Sequence, residues 1–368
     1  MPVIVVAGAL AAKPGSGGEA WVRLSWVLGL QRLGLDAWLL EEADAATAAA
    51  GRAFFKRTVA AAGLGSQALL LVEGEAEGRE QAAELAREAT ALVNISGNLR
   101  DPELLARFAR RAYVDLDPGF TQIWQAQGHL GDQLSRHDRH FTVGLNLGAP
   151  GCEVPPDGFE WVPLPPPVLL EEWKPLEQQQ FGRFTTVATW RNALGRPEHG
   201  GRTYTLKHHQ LRRFAELPAQ SDLPFEIALD IHPDEAEEAE RMRRLGWTVV
   251  EPAAVAADPD AFRDYVRDSG AEFSVTQGIY AETRSGWISD RTAHYLAAGR
   301  PAVVQETALP AAYRPEAGLL TFSEAAQAKT AATQVVADYD RHAAAAHAFA
   351  EETFDSDRVL TRMLEALG

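Results

Sequence analysis

The sequence is poor in cysteine, in basic residues and in long apolar runs. Cys152 is the only cysteine among 368 residues, so a disulfide within the chain is excluded and a reducing, cytoplasmic location is expected. Lys and Arg number 35 against 51 Asp and Glu, and the net charge of −16 disfavours a nucleic-acid or anionic-membrane surface. No apolar run approaches the ~20 residues of a membrane span. An anionic ligand would therefore have to be held by local groups.

The length and composition predict a protein with two folded domains. Hydrophobic residues make up 46% of the chain and charged residues 23%, which is ordinary for a globular protein with a large core. In the first half, short apolar runs alternate with amphipathic segments, including a helix expected over 19–33. The runs that predict buried strands are VIVVAGAL, AWLLEE, ALLLVE, TALVNIS and RAYVDLD. Continuous apolar strands separated by helices indicate a parallel sheet covered on both faces.

A proline-rich stretch over 162–182 interrupts this pattern. Five prolines between positions 163 and 175 resist both helix and central strand, and they predict a stiff linker. The alternation resumes in RFTTVATW, PFEIALDI, GWTVVEP, AEFSVTQ and RPAVVQ, and an apolar stripe predicts a last helix over 356–367. The expected division is a Rossmann-like domain over 1–164, a linker over 165–182, a second Rossmann-like domain over 183–352 and a terminal helical segment over 353–368.

Two doubly wound α/β domains of this kind would face each other across a central cleft. Open parallel sheets bind their ligands beyond the carboxyl ends of the strands. Both domains can then contact the same ligand. Such an arrangement suits an enzyme with two substrates.

A glycine-rich segment, KPGSGGEAW, follows the first predicted strand. Gly15, Gly17 and Ala20 satisfy G-x-G-x-x-A, and Glu41 and Glu42 end the next strand, as in a dinucleotide-binding fingerprint. In that fingerprint the first glycine lies directly after the strand, whereas here a Lys-Pro loop intervenes. Three interpretations stay open: a dinucleotide site, a flexible loop whose amides approach a ligand in the cleft, and a structural turn.

The stretch RSGWISDRTAHYLAAGRPAVVQ combines a helix start with basic residues. Ser289 stands where a helix over 290–298 begins, and a Gly-Arg-Pro break ends it. The unbonded amides of a helix start favour an anion, and Arg284 and Arg291 could add bidentate contacts to phosphate oxygens. The alternative is that Ser289 is a plain N-cap and Asp290 a first-turn residue that suits the helix dipole. Two arginines around a Gly-Trp loop favour a diphosphate site.

Three blocks of this stretch resemble the late helix of GT-B-type glycosyltransferases of the bacterial glycogen-synthase-like superfamily: SDR at 289–291, YLA at 295–297 and GRP at 299–301. The glycine loop before a helix and the proline-rich linker fit the same family. The resemblance implies a GT-B-like fold and a nucleotide-diphosphate sugar bound by the C-terminal domain. It also implies an unknown small-molecule or glycan acceptor that enters from the N-terminal domain, and a last helix that crosses back to that domain.

The resemblance further implies donor-binding residues. Arg191 follows the first strand of the second half and Lys207 opens a helix soon after, where such enzymes place an Arg and a Lys against the donor diphosphate. The carboxylate pair of many retaining members falls on Gly286 and His294 in this register. Retaining and inverting chemistry therefore both stay open, and His294 could contact the nucleotide ribose instead.

For catalysis, the candidates nearest an acceptor are Glu19, Asp117 and His140. Inverting transfer needs a base for the acceptor hydroxyl and stabilisation of the leaving diphosphate, which helix amides and arginines can provide without a metal. We therefore expect neither a metal nor a resident cofactor. Gly17 and Gly18 are expected to approach the transferred sugar.

The function favoured by these features is a metal-independent glycosyltransferase. A nucleotide-sugar epimerase or hydrolase on the same fold is one alternative. An NAD(P)-dependent oxidoreductase and a non-catalytic sugar-nucleotide-binding module are the others.

Overall fold

A computed structural model describes residues 1–191 and 195–368 of the chain. Its strands, all short and mostly buried, are β1 (Val3–Ala7), β2 (Asp36–Ala43), β3 (Ala68–Val72), β4 (Ala91–Ile95), β5 (Arg111–Asp115), β6 (Arg139–Thr142), β7 (Trp161–Pro163), β8 (Phe184–Thr189), β9 (Glu198–His199), β10 (Arg202–Thr203), β11 (Phe225–Asp230), β12 (Trp247–Val250), β13 (Ala271–Ser274), β14 (Ala302–Gln305) and β15 (Leu319–Phe322).

Helices connect the strands in both halves. They are α1 (Gly17–Arg32), α2 (Ala45–Ala61), α3 (Arg79–Glu88), α4 (Pro102–Leu105), α5 (Phe120–Ala126), α6 (Lys207–Phe214), α7 (Leu217–Ser221), α8 (Ala236–Arg244), α9 (Pro252–Val255), α10 (Pro259–Asp268), α11 (Gly278–Glu282), α12 (Asp290–Ala297), α13 (Ala325–Ala337), α14 (Tyr339–Thr353) and α15 (Ser356–Leu367). Single 3₁₀ turns lie at Leu134–Arg136, Leu170–Trp173, Pro233–Glu235 and Ala311–Tyr313. Across the two described ranges, no helix combines the length and the apolar character that crossing a membrane requires.

Each half of the chain forms one parallel sheet. The first sheet has the order β3-β2-β1-β4-β5-β6-β7 and the second has the order β12-β11-β8-β13-β14-β15. The order reverses between β1 and β4 in the first sheet, and between β8 and β13 in the second. The expected doubly wound architecture, with two Rossmann-like sheets, is confirmed. In such sheets the crevice at the point of reversal is where ligands bind.

All ten strands predicted from apolar runs form, with ends that differ by a few residues. The helix expected over 19–33 forms as α1 (Gly17–Arg32), and the helix expected over 356–367 has those bounds as α15. The strands β6, β7 and β15 and the hairpin of β9 and β10 were not predicted. They are short, and β7 ends in a proline, so they lack the long apolar run on which the prediction depended.

The proline-rich stretch contributes a buried side chain to the molecule. Its 3₁₀ turn carries Trp173, which is fully buried. The Trp173 ring stacks on His294 of the second domain, with centroids 4.3 Å apart, and meets Trp21 of the first domain edge-on at 5.4 Å. This stretch therefore packs between the two domains as well as connecting them.

The last helix, α15, lies against the first domain. Leu360 is fully buried and packs on α1 at Gly29, and Arg32 of α1 donates two hydrogen bonds of 3.1 Å to the Asp357 carboxylate. At the far end, Arg110 donates to the carbonyl of Leu367 at 3.0 Å. The end of the chain is thus part of the core of the domain that its beginning forms.

Replacing Leu360 by Ala should lower the free energy of unfolding by about 2–4 kcal/mol, because a fully buried leucine leaves a cavity between α15 and α1. Chemical denaturation followed by circular dichroism measures this change. Arg362→Ala, an exposed position of the same helix, is the matched control and should change the free energy by less than about 0.5 kcal/mol. Equal effects of the two changes would contradict the packing described here.

Candidate active site

The Arg291 side chain lines the bottom of the crevice in the second sheet. Strands β8 and β13 pair only near their starts, at Ala271 with Phe184 and at Glu272 with Thr185. Beyond that point the Arg291 side chain lies between them, donating to Glu272 at 2.7 Å, to the Val187 carbonyl at 2.7 Å and to Ser274 Oγ at 2.6 Å. Arg291, which was expected to reach out to phosphate, instead has three of its donors satisfied within the domain.

Helix α12 starts at Asp290, as predicted, and Arg291 belongs to its first turn. Ser289 is its N-cap, and the Ser289 Oγ accepts from the Arg291 amide at 3.2 Å. This capping role still leaves the hydroxyl hydrogen of Ser289 to be donated. Burial raises the pKa of Asp290 to about 6, and the charge of Glu19 adds to the increase. The first turn therefore already carries one carboxylate, which competes with an anion placed directly on the helix axis.

Lys207 opens α6 at the same edge of the sheet. Its amide donates to the Gln277 side chain at 2.8 Å, which ties the start of α6 to the segment that leaves β13. Its ammonium group has no ion-pair partner within 4 Å among residues 1–191 and 195–368. Burial lowers the pKa of Lys207 to about 8, and the Arg291 charge lowers it further while Glu272, Asp290 and Asp117 oppose the decrease. Lys207 is thus a partly buried cation without a close counter-ion among the described residues.

Asp117 faces Lys207 from the first domain. It follows β5 at the carboxyl edge of its sheet, and its Oδ1 accepts a hydrogen bond of 2.6 Å from the hydroxyl of Tyr280, a residue of the second domain. Burial raises the pKa of Asp117, the Tyr280 bond opposes that increase, and the Glu19 charge adds to it. The Tyr280 hydroxyl, by donating to the charged carboxylate, partly compensates the burial of Asp117.

Glu19 lies beside Asp117, in the first turn of α1. Its side chain is 42% exposed and forms an ion pair with Arg23 one turn later. Burial raises the pKa of Glu19, but the charges of Arg23 and Lys13 more than offset this, and the pKa falls below its ordinary value. Glu19 is therefore a solvent-accessible carboxylate that is fully charged at neutral pH.

The glycine loop packs on the second domain. The Gly17 amide donates to the Ala256 carbonyl at 2.8 Å, and a Cβ at Gly17 would lie 1.9 Å from the Asp258 carbonyl oxygen. A Cβ at Gly18 would lie 3.3 Å from the Phe262 ring. The Gly17 amide is thus hydrogen-bonded within the protein. Because Gly17 has no side chain, the loop backbone can approach the backbone of Asp258 closely. The Gly17 amide is therefore not free to bind a ligand, while the approach of Gly17 and Gly18 to the transferred sugar stays a prediction.

Both histidines expected at the site lie elsewhere. His140 is near the start of β6, away from the carboxyl edge, where its ring contacts the Leu134 carbonyl at 2.9 Å and packs against Tyr113 and Phe159. His294 is 1% exposed beneath Trp173, and burial lowers its pKa to about 3. Neither ring is accessible to a ribose or an acceptor, because each is enclosed by aromatic side chains.

Two predicted arginines lie at the rim. The Arg191 side chain is 54% exposed and holds the Glu235 carboxylate with contacts of 2.7 and 2.8 Å, while its Nη1 approaches His208 at 3.4 Å. Arg284 is exposed in a left-handed conformation, φ 55°, and its carbonyl accepts from Asn146 of the first domain. Arg191 is thus at the carboxyl end of β8, whereas Arg284 is outside the cluster of charges around Lys207.

The carboxylates of the dinucleotide-like pattern are used within the first domain. Glu41 is 1% exposed and accepts from the amides of Leu10, Ala11 and Ala12 at 2.7–2.9 Å. Glu42 accepts from the amides of Arg100 and Asp101. An acid that binds a ribose would need free oxygens at this position. The geometry therefore disfavours the dinucleotide interpretation.

Sequence reasoning missed two residues of this site. Arg23 is 4% exposed, and its charge acts on Glu19, Asp117 and Asp290 together. Its signal was an arginine between Val22 and Leu24 in an otherwise apolar helix, where a buried charge needs partners. Tyr280 had no such signal, since its contact joins residues 163 positions apart.

The cluster thus contains Lys207, Ser289 and Asp290 from one domain and Glu19, Arg23 and Asp117 from the other. A cation and a hydroxyl donor suit the oxygens of a diphosphate, and carboxylates on the opposite side suit proton abstraction from a hydroxyl. Chemically, the arrangement can hold an anionic leaving group on one domain and a nucleophile on the other.

Lys207 should titrate near pH 8, because burial disfavours its charged form. Its amine is then protonated below this pH and neutral above it. Carbon-13 NMR of labelled lysine side chains measures the midpoint. Lys207→Arg identifies the resonance by removing it. An ordinary lysine midpoint near 10.5 for that resonance would contradict the buried position described here.

The fold can be compared with known proteins. No family model matches the sequence, and no curated protein matches it. Among solved structures, an α-glucosyltransferase bound to UDP and a 13-mer DNA superposes with a TM-score of 0.65 at 12% identity, covering 100% of both chains. HepE from Anabaena, bound to UDP and glucose, gives 0.62 at 11% identity, covering 100% of this chain and 99% of its own.

A third structure is sucrose-phosphate synthase from Thermosynechococcus elongatus, with a TM-score of 0.54 at 11% identity and full coverage of both chains. At such low identity these superpositions establish architecture and not activity. They extend over both sheets, the linker and the last helix. The chain therefore has the two-domain GT-B fold.

Proposed function

We propose that this protein is a glycosyltransferase that moves a sugar from a nucleotide-diphosphate sugar to a hydroxyl acceptor. The observation that carries the proposal is Lys207, a desolvated ammonium at the crevice between β8 and β13, faced by Asp117 and Glu19 of the other domain. Two of the similar structures contain UDP, and one of these is named as a glucosyltransferase, which agrees with this assignment.

Lys207 is the residue that we assign to the donor diphosphate. A partly buried cation without a close counter-ion is stabilised when an anion binds, because the anion compensates part of the desolvation of the ammonium group. The Ser289 hydroxyl can donate to the same diphosphate. Arg191, at the rim, can also contact it if one of the hydrogen bonds between Arg191 and Glu235 is broken. These donors stabilise a leaving diphosphate, so the proposed mechanism assigns no role to a metal.

Asp117 is the residue that we assign to the acceptor hydroxyl. Its Oδ1 is held by Tyr280, and no described residue hydrogen-bonds to its Oδ2, which is the oxygen able to accept a proton. Burial raises its pKa and makes it a stronger base than an exposed aspartate. Glu19, more exposed and less basic, is placed to orient the acceptor. The acidic surface of the chain favours an acceptor other than nucleic acid.

Lys207→Ala should weaken the binding of a nucleoside diphosphate about 10- to 100-fold, because a charge-assisted contact of roughly 1.5–3 kcal/mol is lost. Isothermal calorimetry with the best of UDP, GDP, dTDP and ADP measures the affinity, after a thermal-shift screen that includes NAD(P). Lys329→Ala, an exposed lysine of the same domain, is the matched control and should leave the affinity unchanged. Affinity should also fall as the pH rises through 8, where Lys207 loses its proton. Stabilisation by NAD(P) alone would reject the proposed function.

Asp117→Asn should lower kcat about 10²- to 10⁴-fold while leaving nucleotide affinity nearly unchanged, because the amide cannot accept the acceptor proton. Product analysis over an acceptor panel provides the measurement. Incubation of the unchanged protein with the donor alone separates the alternatives. Conversion or rapid hydrolysis of the donor without acceptor would favour an epimerase or hydrolase, and binding without any turnover would favour a sugar-nucleotide-binding module.

A further inference from the structure

Helix α11 connects the two sides of the crevice. Gln277 is the N-cap of this helix, and its side-chain oxygen accepts a hydrogen bond from the Lys207 amide. This bond fixes the backbone position of the lysine that is proposed to bind the donor diphosphate. One turn later the Tyr280 hydroxyl donates to Asp117 Oδ1 at 2.6 Å. A segment of four residues in the second domain, from Gln277 to Tyr280, thus contacts both the proposed diphosphate-binding lysine and the proposed base.

The contact with the Asp117 loop involves more than the hydroxyl. The turn after Asp117 contains Gly119, at φ 97°, and a Cβ there would lie 3.0 Å from Ile279 Cδ1, so α11 is seated closely on this turn. The Tyr280 ring meets Phe120 edge-on with centroids 6.0 Å apart, and it lies 4.5 Å from the Trp287 ring. Tyr280 is 3% exposed. Its hydroxyl is therefore directed at Asp117 by packing on both sides.

Several other charged or titratable groups act on Asp117. They approach from the loop before α1, from α1, from α6 and from β5, and they are Lys13, Glu19, Arg23, Lys207 and Asp115. Among the described residues, Tyr280 is the one whose side chain hydrogen-bonds to the Asp117 carboxylate. It holds one oxygen, and no described residue hydrogen-bonds to the other, so the carboxylate has a fixed orientation and one oxygen able to accept a proton.

We propose that Tyr280 is a positioning residue that orients Asp117 only when the donor-binding domain is seated against the first domain. The inference rests on the proposed function, since it gives Asp117 the role of base. Separation of the domains would remove the hydroxyl from Asp117 and leave the carboxylate free to rotate. The Tyr280 bond to Asp117 and the proximity of Lys207 to Asp117 would then be lost together, because Tyr280 and Lys207 move with the same domain and are tied to each other through the segment around Gln277.

The test compares Tyr280→Phe with the unchanged protein in two measurements. Removal of the hydroxyl takes away a bond to the charged carboxylate, so the pKa of Asp117 should rise, by about one unit. Carbon-13 NMR of aspartate carboxyl groups gives the midpoint, with Asp117→Asn to identify the resonance. In turnover, the acidic limb of the kcat/KM profile should move to higher pH by the same amount, while calorimetry gives an unchanged nucleotide affinity. Tyr313→Phe removes a hydroxyl elsewhere in the same domain and should change neither.

An Asp117 midpoint that is equal in Tyr280→Phe and the unchanged protein would overturn the inference, whatever the turnover shows. Absence of sugar transfer by the unchanged protein would reject the proposed function, and the NMR midpoint would still decide whether Tyr280 acts on Asp117. Ile279→Ala provides a second variant that keeps the hydroxyl but loosens α11 on the Gly119 turn. It should move the midpoint in the same direction by a smaller amount, and no movement would count against the coupling through α11.

Discussion

The ion pair of Arg291 with Glu272 is the interaction on which the crevice depends. Strands β8 and β13 separate after two residue pairs, and the guanidinium fills the gap with bonds to both strands. Because Glu272 is fully buried, loss of the arginine would leave an uncompensated charge in the core, at a cost of several kcal/mol. The same arginine belongs to the first turn of α12. The Arg291 guanidinium thus holds the two strands apart and also lowers the pKa of Lys207.

The fold was largely predictable from the sequence, because buried parallel strands are continuous apolar runs. Runs such as FEIAL and LVNI are shorter than a typical helix and alternate with helical patterns, which favours buried strands. Strands β6, β7 and β15 escaped prediction for a physical reason. They are later in each sheet and only three or four residues long, and tertiary pairing, rather than an apolar run of their own, defines them.

The candidate site was predictable in part. Lys207, Asp117, Glu19 and Asp290 come from four separate segments and from different arguments. The strand-end rule selected Asp117, the helix start selected Asp290, the glycine loop selected Glu19, and the resemblance to a family selected Lys207. The rule could not show which end of a short strand His140 occupies, or that His294 faces inward beneath Trp173.

It could not show either that Gly17 meets a carbonyl of the other domain. The surroundings of His140 depend on packing within the first domain, whereas those of His294 and Gly17 depend on contacts with segments more than 100 residues away. A single sequence carries little information about contacts between such distant segments. Tyr280 was missed for the same reason, since its partner Asp117 is 163 positions away.

The buried indole of Trp173 constrains how the two halves can move. It is inserted between them from the connecting segment, with an imidazole on one side and a second indole on the other. Pulling the halves straight apart would expose this ring to water, at a cost of about 3 kcal/mol. A twist around the ring would keep it covered. Opening of the molecule is therefore expected to follow a rotation centred on this side chain, with the largest displacement at the loops farthest from it.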